Sequence, residues 1–167
     1  MKSAACLCAA LVCAASAHAV PMPPDSATVG TYLSRDDAAT DAATGLIRQA
    51  RHRVLVAGYA HLPPALADAL RAAHARGVDV RVVLNRATRP GRGARSLASG
   101  GIDVAIGARD AAPGMRFVIV DDSVALAADA DNTQPGTGMV NVFHRAPELA
   151  QTYGQTFWRL YWQADRL

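Results

Sequence analysis

The stretch Gly114–Asp131 constrains the fold of this chain more than any other part of the sequence. It holds two apolar runs, Phe117–Val120 and Val124–Ala127, on either side of a short segment that contains Asp and Ser. The first run is rich in β-branched residues. Two such runs around a polar turn are typical of paired, buried β-strands. We therefore predict a β-hairpin over this stretch.

A βαβ unit is predicted upstream of the hairpin. Val54–Ala57 is a short apolar run, and Val78–Leu84 is a second one that is rich in valine. Between them, Pro63 and Pro64 favour the start of a helix and Gly77 favours its end. A strand, a helix and a strand in this order give parallel strands with a right-handed crossover.

The first 19 residues have the features of a secretory signal peptide. Lys2 precedes an apolar stretch too short to span a bilayer, and Ala17-His18-Ala19 fits an A-x-A cleavage site. Cleavage there leaves residues 20–167, a length that suits one domain. The chain's 3 cysteines all lie in this leader, so we expect the mature protein to have no disulfide and no thiol nucleophile. We predict a secreted, periplasmic protein with no transmembrane segment after cleavage.

The hairpin stretch resembles the signature of the phospholipase D superfamily, His-x-Lys-x4-Asp-x6-Gly-Ser-x-Asn. The spacing fits without a gap, but only Asp121 keeps the family's letter. The residues at the six signature positions are, in order, Gly114, Arg116, Asp121, Ala128, Asp129 and Asp131. Arg53–Asn85 is also similar to the first βαβ unit of the short, single-motif bacterial nuclease branch.

This resemblance implies a single-domain α/β fold, an α/β/α sandwich around a mixed β-sheet. It also implies a homodimer, because the branch carries one motif per chain and pairs two motifs across a two-fold axis. The family's reaction is hydrolysis of a phosphodiester, in a nucleic acid or a phospholipid headgroup. That reaction proceeds through a phosphohistidine and uses no metal or other cofactor.

Gly114 occupies the position of the family's nucleophilic His and has no side chain that can attack phosphorus. The leading hypothesis is therefore a pseudoenzyme, a binding or regulatory homologue that is inactive by the usual route. It would act as a homodimer or by pairing with an active relative. In this interpretation Gly114 only shapes a turn after Pro113. Whether any enzymatic activity remains stays open at this point.

Arg116 keeps a cation at the family's Lys position, while Asp129 and Asp131 place carboxylates where the family has neutral groups. Each carboxylate would repel a phosphate oxyanion by about 4 kcal/mol at a separation of ~4 Å and an effective dielectric constant near ~20. We predict an ion pair between Arg116 and one of the two carboxylates. A divalent cation on Asp129 and Asp131 is the alternative. No third ligand is evident, so no metal site is predicted.

Three other features leave alternatives open. His61 follows a predicted strand end, where it is either a relocated catalytic group acting with Arg116 or a solvated loop residue. Asp121 is either a functional residue or a hairpin turn residue. A predicted flexible loop has an arginine at every third position and could bind the phosphates of DNA or of an anionic lipid, or merely be solvated. Its arginines are Arg86, Arg89, Arg92 and Arg95.

Overall fold

A computed structural model describes residues 28–34, 38–85, 91–107, 115–129 and 138–167 of the chain. These residues form eight strands and four helices. In chain order the elements are β1 (Thr28–Ser34), α1 (Ala38–Arg48), β2 (Arg53–Tyr59), α2 (Pro64–Ala75), β3 (Asp79–Leu84), α3 (Arg92–Ser99), β4 (Asp103–Ile106), β5 (Met115–Val120), β6 (Ser123–Asp129), β7 (Gly138–His144), α4 (Pro147–Trp162) and β8 (Asp165–Arg166).

The strands form one mixed sheet in the order β1-β7-β6-β5-β2-β3-β4-β8. Strands β2, β3 and β4 run parallel to one another, and the remaining pairs are antiparallel. The predicted βαβ unit is confirmed as β2-α2-β3. The predicted hairpin is confirmed as β5 and β6, which pair from Met115 opposite Ala128 to Val120 opposite Ser123.

Each face of the sheet is covered by helices. Successive residues of a strand point to opposite faces, so β2 contributes to two cores. Val54 and Val56 belong to the core beneath α1, α2 and α3, whereas Leu55 belongs to the core beneath α4. Phe157 and Tyr161 fill this second core from α4. The α/β/α sandwich with a mixed sheet in a single domain is therefore confirmed.

The predicted flexible loop at residues 86–95 is wrong in its second half. Helix α3 begins at Arg92, so Arg92 and Arg95 are exposed residues of a helix. Ala94 and Leu97 are buried at helical spacing on the opposite side of α3, and their burial outweighs the glycines that suggested a loop. Arg86 and Arg89 lie outside the described residues.

Strand β8 was not predicted, because two residues carry too little pattern to indicate a strand. It pairs with β4 and ends the sheet on that side. Among the described helices, none is long and apolar enough to cross a membrane.

Candidate functional site

The parallel strands β2, β3 and β4 end on the same side of the sheet, which we call its carboxyl end. Because β5 is antiparallel to β2, it begins at the carboxyl end, and β6 returns there. In open α/β sheets, ligand sites gather beyond the carboxyl ends of the parallel strands. The opposite side carries the turn at residues 121–122 between β5 and β6, and we call it the turn end.

A β-bulge shapes the carboxyl end. The register of β2 against β3 shifts between Ala57 and Tyr59, and the intervening Gly58 has φ 86°. Glycine adopts such a positive φ without the steric cost that a side chain would add. The bulge turns Tyr59 onto the face occupied by α1, α2 and α3, where it is buried.

Tyr59 and Arg116 meet at this bulge. The guanidinium carbon of Arg116, the second residue of β5, lies 5.6 Å from the centroid of the Tyr59 ring. That separation is within the range of a cation–π interaction. Arg116 lies two residues before Val118, which belongs to the same core as Tyr59, so both side chains are on one face. The ring of Tyr59 therefore stabilises the guanidinium of Arg116, the residue at the family's Lys position.

Asn85 ties the ends of β2 and β3 together. Its Nδ2 donates a hydrogen bond to the carbonyl oxygen of Gly58 at 3.1 Å. Its backbone N–H donates to the carbonyl oxygen of Tyr59 at 3.0 Å. Sequence reasoning missed Tyr59 and Asn85 as parts of this site. A glycine inside a strand pattern was the signal that could have found the bulge.

Two further basic groups lie on elements at the carboxyl end. His61 is exposed on the connection between β2 and α2. Helix α3 begins beside this connection, since a Cβ placed on Gly93 would lie 3.7 Å from the carbonyl oxygen of Leu62. Arg92, the first residue of α3, is exposed near the same connection.

The remaining signature positions at this end are only partly described. Asp129 is the last residue of β6 and its backbone is paired with Gly138. Gly114 and Asp131 lie outside the described residues. The ion pair between Arg116 and Asp129 or Asp131 therefore stays a prediction. Within the described ranges, no three His, Cys, Asp or Glu side chains come together as metal ligands.

Asp121 lies apart from the other signature positions, at the turn end. It lies five positions after Arg116 along the chain, about 16 Å away at ~3.3 Å per residue. Its carboxylate accepts hydrogen bonds from the backbone N–H groups of Arg51 at 2.9 Å, His52 at 3.0 Å and Arg53 at 2.8 Å. These bonds hold the start of β2 against the hairpin turn.

The environment of Asp121 favours its charged form. Burial alone would raise the pKa of this carboxyl group, but the hydrogen bonds from the backbone of Arg51, Arg53 and His52 hold its pKa below the ordinary value. Asp121 also has a φ of 51°, in the left-handed region that Asp tolerates better than most residues. Both features suit a residue that organises a turn.

A family model described as "Cardiolipin synthase, PLD-like domain" matches residues 44–161, which include α2, β5, β6 and most of α4. A comparison with curated proteins gives no match.

Several solved structures are similar to this chain. Nuc from Salmonella typhimurium, a phospholipase D family member, superposes with a TM-score of 0.73 and 22% identity over 85% of this chain and 99% of that protein. NucT from Helicobacter pylori gives a TM-score of 0.67 and 13% identity over 85% of this chain and 100% of that protein. TrmBL2, an archaeal chromatin protein with a novel mode of DNA binding, gives a TM-score of 0.66 and 15% identity over 83% of this chain and 54% of that protein.

Proposed function

Because the chain belongs to the phospholipase D-like family, in its short nuclease-like branch, we propose that it binds phosphodiesters at the carboxyl end without hydrolysing them through a phosphohistidine. One observation carries this proposal. The nucleophile position holds Gly114, whereas the cation position keeps Arg116, which is supported on the ring of Tyr59. The chain thus retains a group that attracts phosphate and lacks the group that attacks it.

The chemistry of the retained groups suits a phosphate anion. A guanidinium presents a planar set of donors that matches two phosphate oxygens, and contact with an aromatic ring limits its orientations. The exposed Arg92 and Arg95 on α3 add positive charge. Since the structurally similar TrmBL2 binds DNA, we propose DNA as the ligand of this chain.

Removal of Arg116 tests the proposal. We expect the mature protein, residues 20–167, to bind plasmid DNA with an affinity that falls as salt rises, because phosphate contacts release counterions. Arg116→Ala should lower the affinity about tenfold at low salt, the equivalent of ~1.4 kcal/mol. Arg51→Ala is the matched control, since it removes an exposed arginine at the turn end and leaves the backbone N–H bond to Asp121 in place.

The absence of the usual reaction is tested in the same preparation. We expect no turnover of bis(p-nitrophenyl) phosphate, plasmid DNA or phosphatidylcholine. Turnover that leaves a phospho-adduct on the protein would overturn the proposal. Equal DNA affinity in Arg116→Ala and Arg51→Ala would show that Arg116 is not the phosphate-binding group.

A residual hydrolase is the second candidate function. The exposed His61 follows Tyr59 by two residues, and Tyr59 contacts Arg116, so an imidazole and a guanidinium are carried by the same end of the sheet. In this case His61 supplies the nucleophile or the acid. Turnover of any of the three substrates that His61→Ala abolishes would favour this candidate over binding alone.

We propose in addition that the protein is exported to the periplasm and works as a homodimer or with an active relative. The leader at residues 1–19 supports export, and the single motif supports pairing. The mass of the protein recovered from the periplasm should correspond to a chain that begins at Val20. Light scattering of the same material should give twice the mass of that chain.

A further inference from the structure

Helix α4 contains a glycine that its packing does not require. Gly154 lies in the interior of the helix and is buried, yet a Cβ placed on it would meet no heavy atom within 4 Å outside its own helix backbone and chain neighbours. A glycine in a helix interior lowers helix stability relative to alanine. The missing side chain leaves space, and that space belongs to a groove.

The groove lies between α4 and the turn end of the sheet. It has a volume of about 370 Å³. The buried Gly154 and Ala150 form its floor. Its walls are formed by Trp158 and by five polar residues, Arg53, Asp121, Asp122, Gln151 and Gln155. Arg53 and Tyr59 are the two ends of β2, about 20 Å apart at ~3.3 Å per residue, so this groove is separate from the carboxyl end. We call it the turn-end groove.

One wall of the groove holds a polar atom without a partner. Nε of Arg53 is buried and has no hydrogen-bond partner in the part of the chain that the structure describes. A buried N–H without an acceptor is unfavourable, because it has lost its hydrogen bond to water and gained none in return. Arg53 also lines the groove, and a bound ligand with an oxygen atom that reaches Nε would satisfy this donor.

The opposite wall is formed by α4. Gln151 and Gln155 lie one helical turn apart, are exposed and line the groove. Each carboxamide offers two donors and an acceptor. Trp158 follows on the same helix and adds an apolar surface. A few convergent polar groups over an apolar floor are typical of sites for small molecules.

The charged side chains that line the groove, Arg53, Asp121 and Asp122, select the class of ligand. Asp121 directs its carboxylate to three backbone N–H groups, which leaves Arg53 and Asp122 as an opposed pair of charges. A groove with this balance does not favour a polyanion. It suits a neutral ligand with many hydroxyl groups and an apolar ring face. We propose that the turn-end groove binds a saccharide of one or two rings.

The two tryptophans of the chain make this proposal measurable. Trp158 lines the groove, and Trp162 is 73% exposed. The variant Trp162→Phe leaves Trp158 as the single tryptophan reporter. Titration with maltose, cellobiose and diacetylchitobiose should give a saturable change in its emission for at least one of them, with a midpoint on the order of 1 mM. The midpoint should change less than about twofold between low and high salt, because a neutral ligand is not screened.

Filling the groove supplies the matched comparison. In the Trp162→Phe background, Gly154→Leu places a side chain in the open space and should weaken saccharide binding by at least about tenfold. Gly45→Leu is the control, because Gly45 is also a helical glycine whose Cβ would meet no atom within 4 Å, on α1. That variant should bind like its parent. Circular dichroism checks that both variants fold. The variant Arg53→Met tests independently whether the buried Nε donor contributes to saccharide binding.

Three results would overturn the proposal. The first is no emission change with any of the three disaccharides up to about 100 mM, a hundred times the expected midpoint. The second is binding that Gly154→Leu and Arg53→Met leave unchanged. The third is an emission change with triglycine but with no disaccharide, which would assign the groove to a peptide. DNA binding through Arg116 is measured separately, so its failure would not be confused with any of these.

Discussion

The two ends of the β5–β6 hairpin differ in what they keep of the family signature. At the turn end, Asp121 keeps the family's letter, and its carboxylate holds three backbone N–H groups within 3.0 Å. At the carboxyl end, Arg116 rests on Tyr59, and the flanking signature positions hold other residue types. The difference separates two tasks within one motif. Asp121 positions the chain at one end, and we propose that the other end contacts the phosphodiester.

The hairpin itself explains how the two tasks can be separated. Between Arg116 and Asp121, every residue of β5 is buried, and β5 lies between β2 and β6 in the sheet. A packed strand of this kind fixes the position of both ends. The ends are nevertheless about 16 Å apart, more than a Debye length at physiological salt of ~8 Å. We therefore expect substitutions at the turn end to change stability and substitutions at the carboxyl end to change binding or reaction.

The largest effect is a gain of hydrolytic activity, and we expect it when the family's signature residues are restored at the carboxyl end. The combined variant Gly114→His, Arg116→Lys, Asp129→Ser and Asp131→Asn restores the reacting and phosphate-orienting groups on a scaffold that is intact at the turn end. Hydrolysis of bis(p-nitrophenyl) phosphate should rise at least about 100-fold over the parent protein, the lower range for one well-placed catalytic group.

The single variant Gly114→His is the control for this experiment. It should gain much less activity, because the phosphate-orienting side chains of the family signature would still be missing at positions 129 and 131. A restored variant that folds, binds the diester and gives no turnover would contradict the view that the turn end alone preserves a usable frame.

The next effect is a loss of stability at the turn end. Asp121→Ala removes the acceptor for three backbone N–H groups and should lower the free energy of unfolding by about 3 kcal/mol. For a chain of this size, that corresponds to a fall in Tm of about 6–12 °C. Arg116→Ala should change the free energy of unfolding by less than about 1 kcal/mol.

Asp122→Ala provides the neighbouring control at the same turn. The side chain of Asp122 is exposed and accepts a hydrogen bond from the hydroxyl group of Ser123 at 3.0 Å. We expect a loss of no more than about 1 kcal/mol. If urea denaturation gives the same loss for Asp121→Ala, Asp122→Ala and Arg116→Ala, the two ends of the hairpin do not differ in the way proposed.

The sequence predicted the parts of this comparison that depend on strand pattern. The runs Phe117–Val120 and Val124–Ala127 indicated a hairpin, because a buried β-strand is encoded by an uninterrupted series of apolar residues. The alternatives for Asp121, a turn or a functional role, could not be separated from the sequence. Their separation depends on hydrogen bonds to Arg51, His52 and Arg53, nearly 70 residues away in the chain.

Other features were beyond sequence reasoning for related physical reasons. The contact between Tyr59 and Arg116 depends on a register shift at Gly58, which a pattern of alternating residues does not record. The sequence predicts a loop for residues 92–95, the first half of α3, because the nearby glycines outweigh the helical spacing of Ala94 and Leu97. In each case a tertiary contact determines the local structure, which a short sequence pattern alone does not specify.

A smaller effect at the turn end depends on pH. The pKa of Asp121 is lower in the folded protein than the ordinary Asp value of about 3.9. Its charge therefore stabilises the fold above the unfolded-state pKa, and this stabilisation is lost as pH falls through the folded-state pKa. Asp121→Asn, which tolerates the same positive φ, should be less stable than the parent by about 1 kcal/mol at neutral pH.

The difference between Asp121→Asn and its parent should shrink on acidification. Urea denaturation from about pH 7 to about pH 2 would follow it across the window in which the parent carboxylate takes up a proton. A difference that stays constant over this range would mean that the charge of Asp121 contributes nothing, and that its oxygens serve only as hydrogen-bond acceptors.

The smallest effect concerns the floor of the turn-end groove. Gly154→Ala adds a Cβ where no atom lies within 4 Å, and it should raise the free energy of unfolding by about 0.5–1 kcal/mol through helix propensity. Gly45→Ala in α1 should give the same gain for the same reason. Equal gains in urea denaturation would show that the fold does not require Gly154, so the missing side chain serves the groove. A loss of stability in Gly154→Ala alone would mean that α4 packs against this position after all, and the turn end would then be built for stability throughout.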